Sequence, residues 1–253
     1  MLNLFCIQDY VTGISKLGIY ADYITINISS PNTPGLRNLQ KKEPIRRLFQ
    51  AVLQARDSLP SHPHPSSFYS TKHIQHTKEV DSTTRTTAIR QGVDIPIFVK
   101  ISPDCTDEEL DDIASAIMEF QMDGIIISNT TNQRPTTLQS IHKHEMGGLS
   151  GRPLKNLSTE CIRKMYQRTQ GQVFIIGVGG VESGRDAYEK IKAGASVIQL
   201  YSAMVYQGAG MISRIRKELA EIMLENGHRT IDDVIGLDHD DIYLKRQVGR
   251  ILQ

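Results

Sequence analysis

Polar side chains that could hold a ligand follow several short apolar segments of the chain. They are Asn27, Ser30 and Asn32 after the first segment, Lys100 at the end of the second, and Asn129 and Thr130 after the third. Each amide offers both a donor and an acceptor, so three of them would suit a planar ligand with alternating carbonyl and N–H edges. Alternatively, the asparagines form turns, and Lys100 forms a structural salt bridge with Asp104 or Asp123.

Glycine-rich segments indicate an anion site. Gly177-Val-Gly179-Gly180 follows the fourth apolar segment, Tyr201-Ser202 follows the fifth, and Gly147-Gly148-Leu-Ser150-Gly151 lies upstream of both. Small residues let backbone N–H groups approach an anion, and a helix that begins near Ser183 would add its positive end. We therefore predict phosphate binding here, against the alternative that the glycines only make tight turns.

The elements that must position these residues alternate between strands and helices. Strands are predicted at Tyr23–Ile28, Ile95–Ile101, Gly124–Ser128, Val173–Val178 and Ser196–Leu200. Helices are predicted from Pro44, after a capping box formed by Thr106 and Glu109, from Ser183 to a stop at Gly194, and along Ile212–Met223.

This alternation indicates parallel βαβ units, in either an open doubly wound sheet or a closed barrel. The segment Gly177–Glu182 resembles the dinucleotide-binding fingerprint, but Glu182 stands where that pattern needs its third glycine. The pattern therefore favours the barrel.

Composition excludes several classes of protein. The 253 residues are 39% hydrophobic, which is enough to form a sizeable core. Their formal charge of +1 does not indicate the positive surface that nucleic-acid binding requires. Because no apolar stretch could span a bilayer and no secretory signal is evident, we expect a soluble chain. Three widely spaced cysteines predict neither disulfides nor a metal site, and they favour a reducing compartment.

Residues 58–94 interrupt the alternation of predicted strands and helices, because they are rich in proline, serine and threonine and lack hydrophobic periodicity. We predict an insertion loop there, with a disordered segment as the alternative. The segment contains four histidines whose spacing fits no familiar metal site, and we expect no bound metal: His62, His64, His73 and His76.

Five ordered motifs closely resemble the dihydroorotate dehydrogenase family. They are Asn27-Ile-Ser-Ser-Pro-Asn-Thr-Pro-Gly-Leu-Arg37, Val99-Lys-Ile-Ser-Pro-Asp104, Ile127-Ser-Asn-Thr-Thr131, Gly147-Gly-Leu-Ser-Gly-Arg-Pro-Leu154 and Ile176-Gly-Val-Gly-Gly180. The likeness runs from about residue 9 to residue 239, and residues 1–7 resemble no part of the family. It implies an FMN-dependent flavoprotein that oxidises dihydroorotate to orotate in the biosynthesis of pyrimidines and UMP.

The resemblance also implies a role for each candidate residue. Ser30 is similar to the catalytic base of the quinone-reducing class, so ubiquinone is the expected electron acceptor. Lys100 is similar to the lysine that stabilises the negative charge of reduced flavin. The implied substrate contacts are Asn27, Asn32, Asn129 and Thr130. The implied FMN contacts are Asn27, Lys100, Ser128, Ser150, Gly151, Gly179, Gly180, Tyr201 and Ser202.

The resemblance covers about five of the eight βα units of a TIM (β/α)8-type barrel, so we expect residues 1–253 to be one N-terminally truncated FMN-binding α/β domain. The family implies the mitochondrial inner membrane, but no counterpart of its membrane-anchoring helices is found. Because five strands cannot close the barrel, we expect the chain alone to lack activity. The alternatives are a non-catalytic fragment and another FMN-dependent barrel oxidoreductase.

Overall fold

The computed structural model describes the backbone of residues 2–60 and 95–251, and the side chains of residues 6–60 and 95–245. Nearly all of the predicted insertion, with its four histidines, lies outside the described residues. The strands are β1 (Ile24–Asn27), β2 (Ile97–Ile101), β3 (Gly124–Ile127), β4 (Phe174–Val178) and β5 (Val197–Gln199). The α-helices of the described part are α1 (Leu2–Leu17), α2 (Lys42–Asp57), α3 (Asp107–Phe120), α4 (Lys155–Arg168), α5 (Gly184–Lys192), α6 (Ser202–Gln207), α7 (Gly210–Glu225) and α8 (Asp240–Ile251).

The five strands form one parallel sheet in the order β1-β2-β3-β4-β5. Helices α1 to α4 each contact the next helix along the chain, and α5 contacts α7. A doubly wound sheet would reverse its strand order part-way, whereas the wall of a barrel keeps sequence order. The arrangement confirms the barrel-type reading. In the described part of the chain, β1 and β5 each pair on one side only.

The two faces of the sheet differ in burial. Ile97, Val99 and Ile101 alternate along β2 and are fully buried in the main hydrophobic core, which also includes residues of α2, α3 and α4. On the opposite face, Lys100 is in register with Asn27 of β1 and Ile126 of β3. This second face is less covered, and it carries the polar residues of the site to the carboxyl ends of the strands.

Local signals set several helix boundaries. The predicted capping box is present at the start of α3, where the Thr106 hydroxyl accepts from the Glu109 amide and the Glu109 carboxylate accepts from the Thr106 amide. Ser183 caps α5 by accepting from the Asp186 amide. Helix α2 begins at Lys42, two residues before the predicted start, because proline is also tolerated within the first helical turn.

Four helices of the described part, α1, α4, α6 and α8, were not predicted. The apolar stripe of α1 includes Tyr10, Val11 and Ile14, and it packs against the core. This spacing is helical, but no capping residue announces the start of the helix. Among the described residues, no helix is long and apolar enough to cross a bilayer.

Candidate active site

Three polar side chains join the carboxyl ends of β1, β2 and β3. The Asn129 Nδ2 donates to Asn27 Oδ1 at 3.0 Å and to Ser29 Oγ at 2.9 Å. Ser29 is fully buried, and its hydroxyl donates to the Lys100 carbonyl at 2.7 Å. We call Asn27, Ser29 and Asn129 the amide cluster. The structure thus brings two of the three predicted amides into direct contact.

Ser30 and Asn32 lie in the loop that follows the amide cluster. Ser30 is half-buried, and its Oγ accepts from the Asn32 backbone amide at 3.3 Å. Within the described residues the Ser30 hydroxyl donates no hydrogen bond, so its proton is free for a ligand. Asn32 is exposed, and its Oδ1 lies 3.7 Å from the position that a Gly147 Cβ would occupy.

An arginine that the sequence analysis assigned no role holds the loops of this region together. Arg37 Nε donates to the Ser29 carbonyl at 3.2 Å, and its two terminal nitrogens donate to Asp104 Oδ2 at 3.2 Å and to the Thr130 carbonyl at 3.4 Å. Asp104 also accepts from the Thr131 hydroxyl and from the Asn132 amide. The loops after β1, β2 and β3 are therefore cross-linked. The signal was available, because Arg37 and Asp104 end two of the quoted motifs.

Lys100 has neither of the two carboxylate partners considered for it. Asp104 pairs with Arg37 at 3.2 Å, and Asp123 pairs with Arg56 at 3.2 Å. The Lys100 amine forms no ion pair or hydrogen bond with a described residue. Burial lowers the pKa of Lys100, because desolvation disfavours the charged form. The alternative of a structural salt bridge at Lys100 is thus wrong, and the desolvated Lys100 amine is available to a ligand.

A cleft of about 380 Å³ opens beside Lys100. Eight of the nine predicted flavin contacts line it: Lys100, Ser128, Ser150, Gly151, Gly179, Gly180, Tyr201 and Ser202. Asn129 and Thr130 line it as well, whereas Ser30, Asn27 and Asn32 do not. Asn27 is connected to the cleft only indirectly, because it accepts a hydrogen bond from Asn129. The predicted cofactor residues therefore converge, and the predicted base lies in the adjoining loop.

The far end of the cleft is formed by backbone. We call Val178–Gly180 the glycine loop. Gly180 has φ +70°, and a Cβ on it would lie 2.6 Å from the Lys155 Cβ and 2.7 Å from the Lys155 backbone nitrogen. The Gly179 and Gly180 amides donate no hydrogen bond to any described residue. Across the cleft, the Ser150 and Ser202 hydroxyls are 3.0 Å apart. Free amides and hydroxyls suit an anion.

One part of the predicted anion site is wrong. The start of α5 near Ser183 was expected to offer its positive end to the anion, but two of its first three amides, those of Gly184 and Asp186, already have partners. The Gly184 amide donates to Glu218 Oε2 at 2.6 Å, and the Asp186 carboxylate accepts from the Glu182 amide at 3.1 Å. The helix that supports the glycine loop is instead α4, which begins at Lys155 directly behind Gly180.

Metal-binding groups do not gather in the described part of the molecule, where no three side chains of His, Cys, Asp or Glu converge. Burial raises the pKa of the Cys105 thiol to about 12, so it is not a reactive thiolate at neutral pH. The chemistry of the cleft is therefore that of amides, hydroxyls, backbone N–H groups and one lysine.

Residues 2–223 match the family model described as dihydroorotate dehydrogenase. The chain belongs to the dihydroorotate dehydrogenase family. Because the match begins at residue 2, the expectation that residues 1–7 resemble no part of the family is wrong. Within α1, Cys6 and Ile7 pack against the main hydrophobic core, and Tyr10 donates to the Asn27 carbonyl at 2.6 Å.

Relatives within the dihydroorotate dehydrogenase family are quinone-dependent by name. The chain is 46% identical over 231 residues to "Dihydroorotate dehydrogenase (quinone), mitochondrial" of Mus musculus, covering 91% of this chain and 51% of the relative. It is 43% identical over 232 residues to "Dihydroorotate dehydrogenase (quinone)" of Azorhizobium caulinodans, covering 91% of this chain and 57% of the relative. The chain thus spans about half the length of these relatives.

Solved structures give the same family. A ligand-free DHODH from Eimeria tenella superposes with a TM-score of 0.78 at 42% identity, covering 92% of this chain and 60% of that chain. The same species' DHODH in complex with ferulenol also gives a TM-score of 0.78, with 58% of that chain covered. The five parallel strands of the present chain thus correspond to part of a (β/α)8-type barrel.

Proposed function

We propose that the cleft is the FMN and dihydroorotate site of a quinone-dependent dihydroorotate dehydrogenase. The observation that carries the proposal is the free Lys100 amine, which lines the same cleft as Asn129 of the amide cluster and the unpaired amides of the glycine loop. A planar, anionic cofactor with a phosphate needs a cation at one end and backbone donors at the other. Both features are present, and membership of the family supplies the chemical context.

The residues fit FMN by their donor chemistry. Gly179 and Gly180 offer backbone N–H groups to the phosphate, and Ser150, Gly151 and Ser202 form the facing wall. Lys100 offers its positive charge to the ring system, whose negative charge grows on reduction. The further assigned contacts are Asn27, Ser128 and Tyr201. When bound, FMN supplies the two-electron oxidation that converts dihydroorotate to orotate.

We assign the substrate to the amide end of the cleft. Asn27, Asn129 and Asn32 together offer donors and acceptors to a pyrimidine edge and a carboxylate, with Thr130 as a further contact. Ser29 holds Asn27 and Asn129 in place by direct hydrogen bonds. The amide cluster therefore orients the substrate, and its own internal bonds limit the loss of side-chain entropy on binding.

Ser30 is the proposed catalytic base, which removes the C5 proton of dihydroorotate. Of the neighbouring Ser29 and Ser30 hydroxyls, only that of Ser30 donates no hydrogen bond to a described residue, because Ser29 donates to the Lys100 carbonyl. The Asn32 amide donates to Ser30 Oγ and stabilises negative charge as the half-buried hydroxyl passes its own proton to solvent water and takes up the C5 proton. Free serine is a weak base, so this activation is essential.

We further propose ubiquinone as the electron acceptor and the mitochondrial inner membrane as the location. The support is the word "quinone" in the names of the relatives and "mitochondrial" in the name of the mouse relative. Because both edge strands of the described sheet lack a second partner, we expect this chain by itself to turn over little dihydroorotate. Detectable steady-state turnover by the purified chain would overturn that expectation.

Difference spectroscopy on the FMN-loaded chain tests the proposal. Orotate should perturb the flavin spectrum saturably, and Asn129→Ala should abolish the perturbation while FMN stays bound. In a full-length protein that carries this sequence, Ser30→Ala should leave both binding steps unchanged and slow flavin reduction by dihydroorotate by orders of magnitude. A spectrum that does not respond to orotate would contradict the substrate assignment, and an unchanged reduction rate in the Ser30 variant would remove Ser30 as the base.

A further inference from the structure

A second buried lysine lies beneath the glycine loop. Lys190 of α5 has no solvent exposure, and its amine donates to the Thr159 hydroxyl at 2.9 Å, the Ser158 hydroxyl at 3.1 Å and the Lys155 carbonyl at 3.3 Å. All three partners belong to the first turns of α4. No carboxylate of the described residues lies within ion-pair distance of this amine. A buried ammonium without a carboxylate partner is costly, so its position calls for an explanation.

The hydrogen bonds of Lys190 lead directly to the glycine loop. The Ser158 hydroxyl, which accepts from Lys190, itself donates to the Val178 carbonyl at 2.5 Å. Val178 immediately precedes Gly179, and the same carbonyl accepts from the Ser128 amide at 3.0 Å. The Lys155 backbone, which Lys190 also contacts, packs against Gly180. Lys190 therefore fixes both the start of the loop and the helix behind it.

The electrostatics of this position favour an anion nearby. A cation at the N-terminal end of a helix opposes the helix dipole, so Lys190 and the start of α4 repel each other unless negative charge approaches. The carboxylate on the facing helix turn, Asp186, is engaged by the Lys155 amine at 2.9 Å. Burial lowers the pKa of Lys190 to about 7; Asp186 and Cys161 act in the opposite direction, and Lys155 acts in the same direction.

We propose that Lys190 is a positioning residue for the phosphate-binding glycine loop. It acts through Ser158 and Lys155, holding the Gly179 and Gly180 amides in the orientation that receives the phosphate, and it makes no contact with the flavin ring. The proposal rests on the proposed function in one respect, namely that the anion in the cleft is the phosphate of FMN. Riboflavin, which is FMN without its phosphate, is therefore the natural comparison ligand.

Lys190→Met is a suitable variant, because the acceptors around the amine keep other partners. Thr159 still donates to the Lys155 carbonyl at 2.9 Å, and Ser158 still donates to Val178. Methionine fills a similar volume and removes a buried amine, so the fold should survive. Lys192→Met is the matched control. It removes an amine from the same helix, but Lys192 is partly exposed and pairs with Asp238 and Glu189.

The test compares FMN and riboflavin affinities by flavin fluorescence in the wild type and both variants. Lys190→Met should weaken FMN at least tenfold and leave riboflavin within twofold, while Lys192→Met changes neither. Equal weakening of both flavins by Lys190→Met would mean a general structural role and would overturn the proposal. Unchanged FMN affinity in Lys190→Met would overturn it as well.

Amide hydrogen exchange separates this inference from the proposed function. In the flavin-free proteins, the Ser128 amide, which donates to the Val178 carbonyl at 3.0 Å, should exchange faster in Lys190→Met than in the wild type or in Lys192→Met. If the wild type bound no flavin, the proposed function would fail, and the exchange result would still decide the role of Lys190. Equal exchange in all three proteins would exclude the positioning role.

Discussion

The two ends of the cleft are prepared for a ligand by different means. At the β1–β3 end, Asn27, Ser29 and Asn129 bond to one another, and Arg37 ties their loops together. At the β4–β5 end, the glycine loop leaves its amides free and is supported from beneath. The first end depends on particular side chains, whereas the second depends on the absence of side chains. The two ends should therefore respond to different kinds of substitution.

The largest effect is expected at Lys100, which lies at the β1–β3 end and lines the cleft together with the glycine loop. Lys100→Met should leave oxidised FMN bound but weaken reduced FMN roughly a hundredfold or more, because it removes the desolvated cation that faces the negative charge. The midpoint potential of bound FMN should then fall by about 60 mV, at about 30 mV per factor of ten for a two-electron couple. Redox titration of the FMN-loaded chain measures it.

Lys217→Met is the control for Lys100→Met, because its side chain is 80% exposed and lies on α7. Its potential should match that of the wild type. A Lys100 variant whose potential also matched the wild type would remove Lys100 from the electrostatic role.

Gly180→Ala tests the backbone end of the cleft. The new Cβ would collide with the Lys155 backbone at a position with φ +70°, so FMN affinity should fall about a hundredfold and the stability should drop. Gly227→Ala has the same strain at φ +77° but nothing within 4 Å of the new Cβ. It should cost only about 1–2 kcal/mol of stability and no FMN affinity. Equal flavin affinities in the two variants would contradict the tight packing of the glycine loop on α4.

Lys190 should make the stability depend on pH. Burial lowers its pKa from 10.5 to about 7. Between these values the unfolded chain binds a proton that the folded chain does not, so the free energy of unfolding should rise with pH. The contribution of one group is at most about 1.4 kcal/mol per pH unit. Urea denaturation from pH 7 to pH 10 measures it, and Lys190→Met should flatten the rise. An identical slope in this variant would show that other groups cause it.

The smallest effect on stability is expected at the side-chain end. Asn129→Ala removes the donor to Asn27 and Ser29, but these two still bond to each other at 3.2 Å. The loss should therefore be about 1–2 kcal/mol. Asn226→Ala, on an exposed residue with one backbone bond, is the control and should cost about 0.5 kcal/mol or less. Denaturant midpoints compare the two, and equal losses would mean that the amide cluster adds no stability.

Much of this arrangement could be predicted from the sequence. The five strands, the caps at Thr106 and Ser183 and the convergence of the glycine loop with Lys100 follow from periodicity and from the position of polar residues after buried strands. These are local signals, or consequences of parallel topology.

Long-range partners could not be predicted in the same way. Arg37 and Asp104 are 67 positions apart, and Lys190 and Ser158 are 32 positions apart, so no local pattern links them. The alternative that Lys100 forms a salt bridge with Asp104 or Asp123 was wrong, because both carboxylates pair with arginines that no local pattern links to them. The prediction that the start of α5 helps to bind the anion failed for the same reason, since the Glu218 carboxylate of α7 accepts a hydrogen bond from an amide in the first turn of α5.

The most direct test of the central claim is the visible absorption spectrum of the purified 253-residue chain after incubation with FMN and removal of the excess. We predict that flavin remains bound at close to one equivalent, with a spectrum shifted from that of free FMN, and that the Gly180→Ala variant emerges without it. A colourless wild-type chain would contradict the account, because the described cleft would then be insufficient to hold the cofactor.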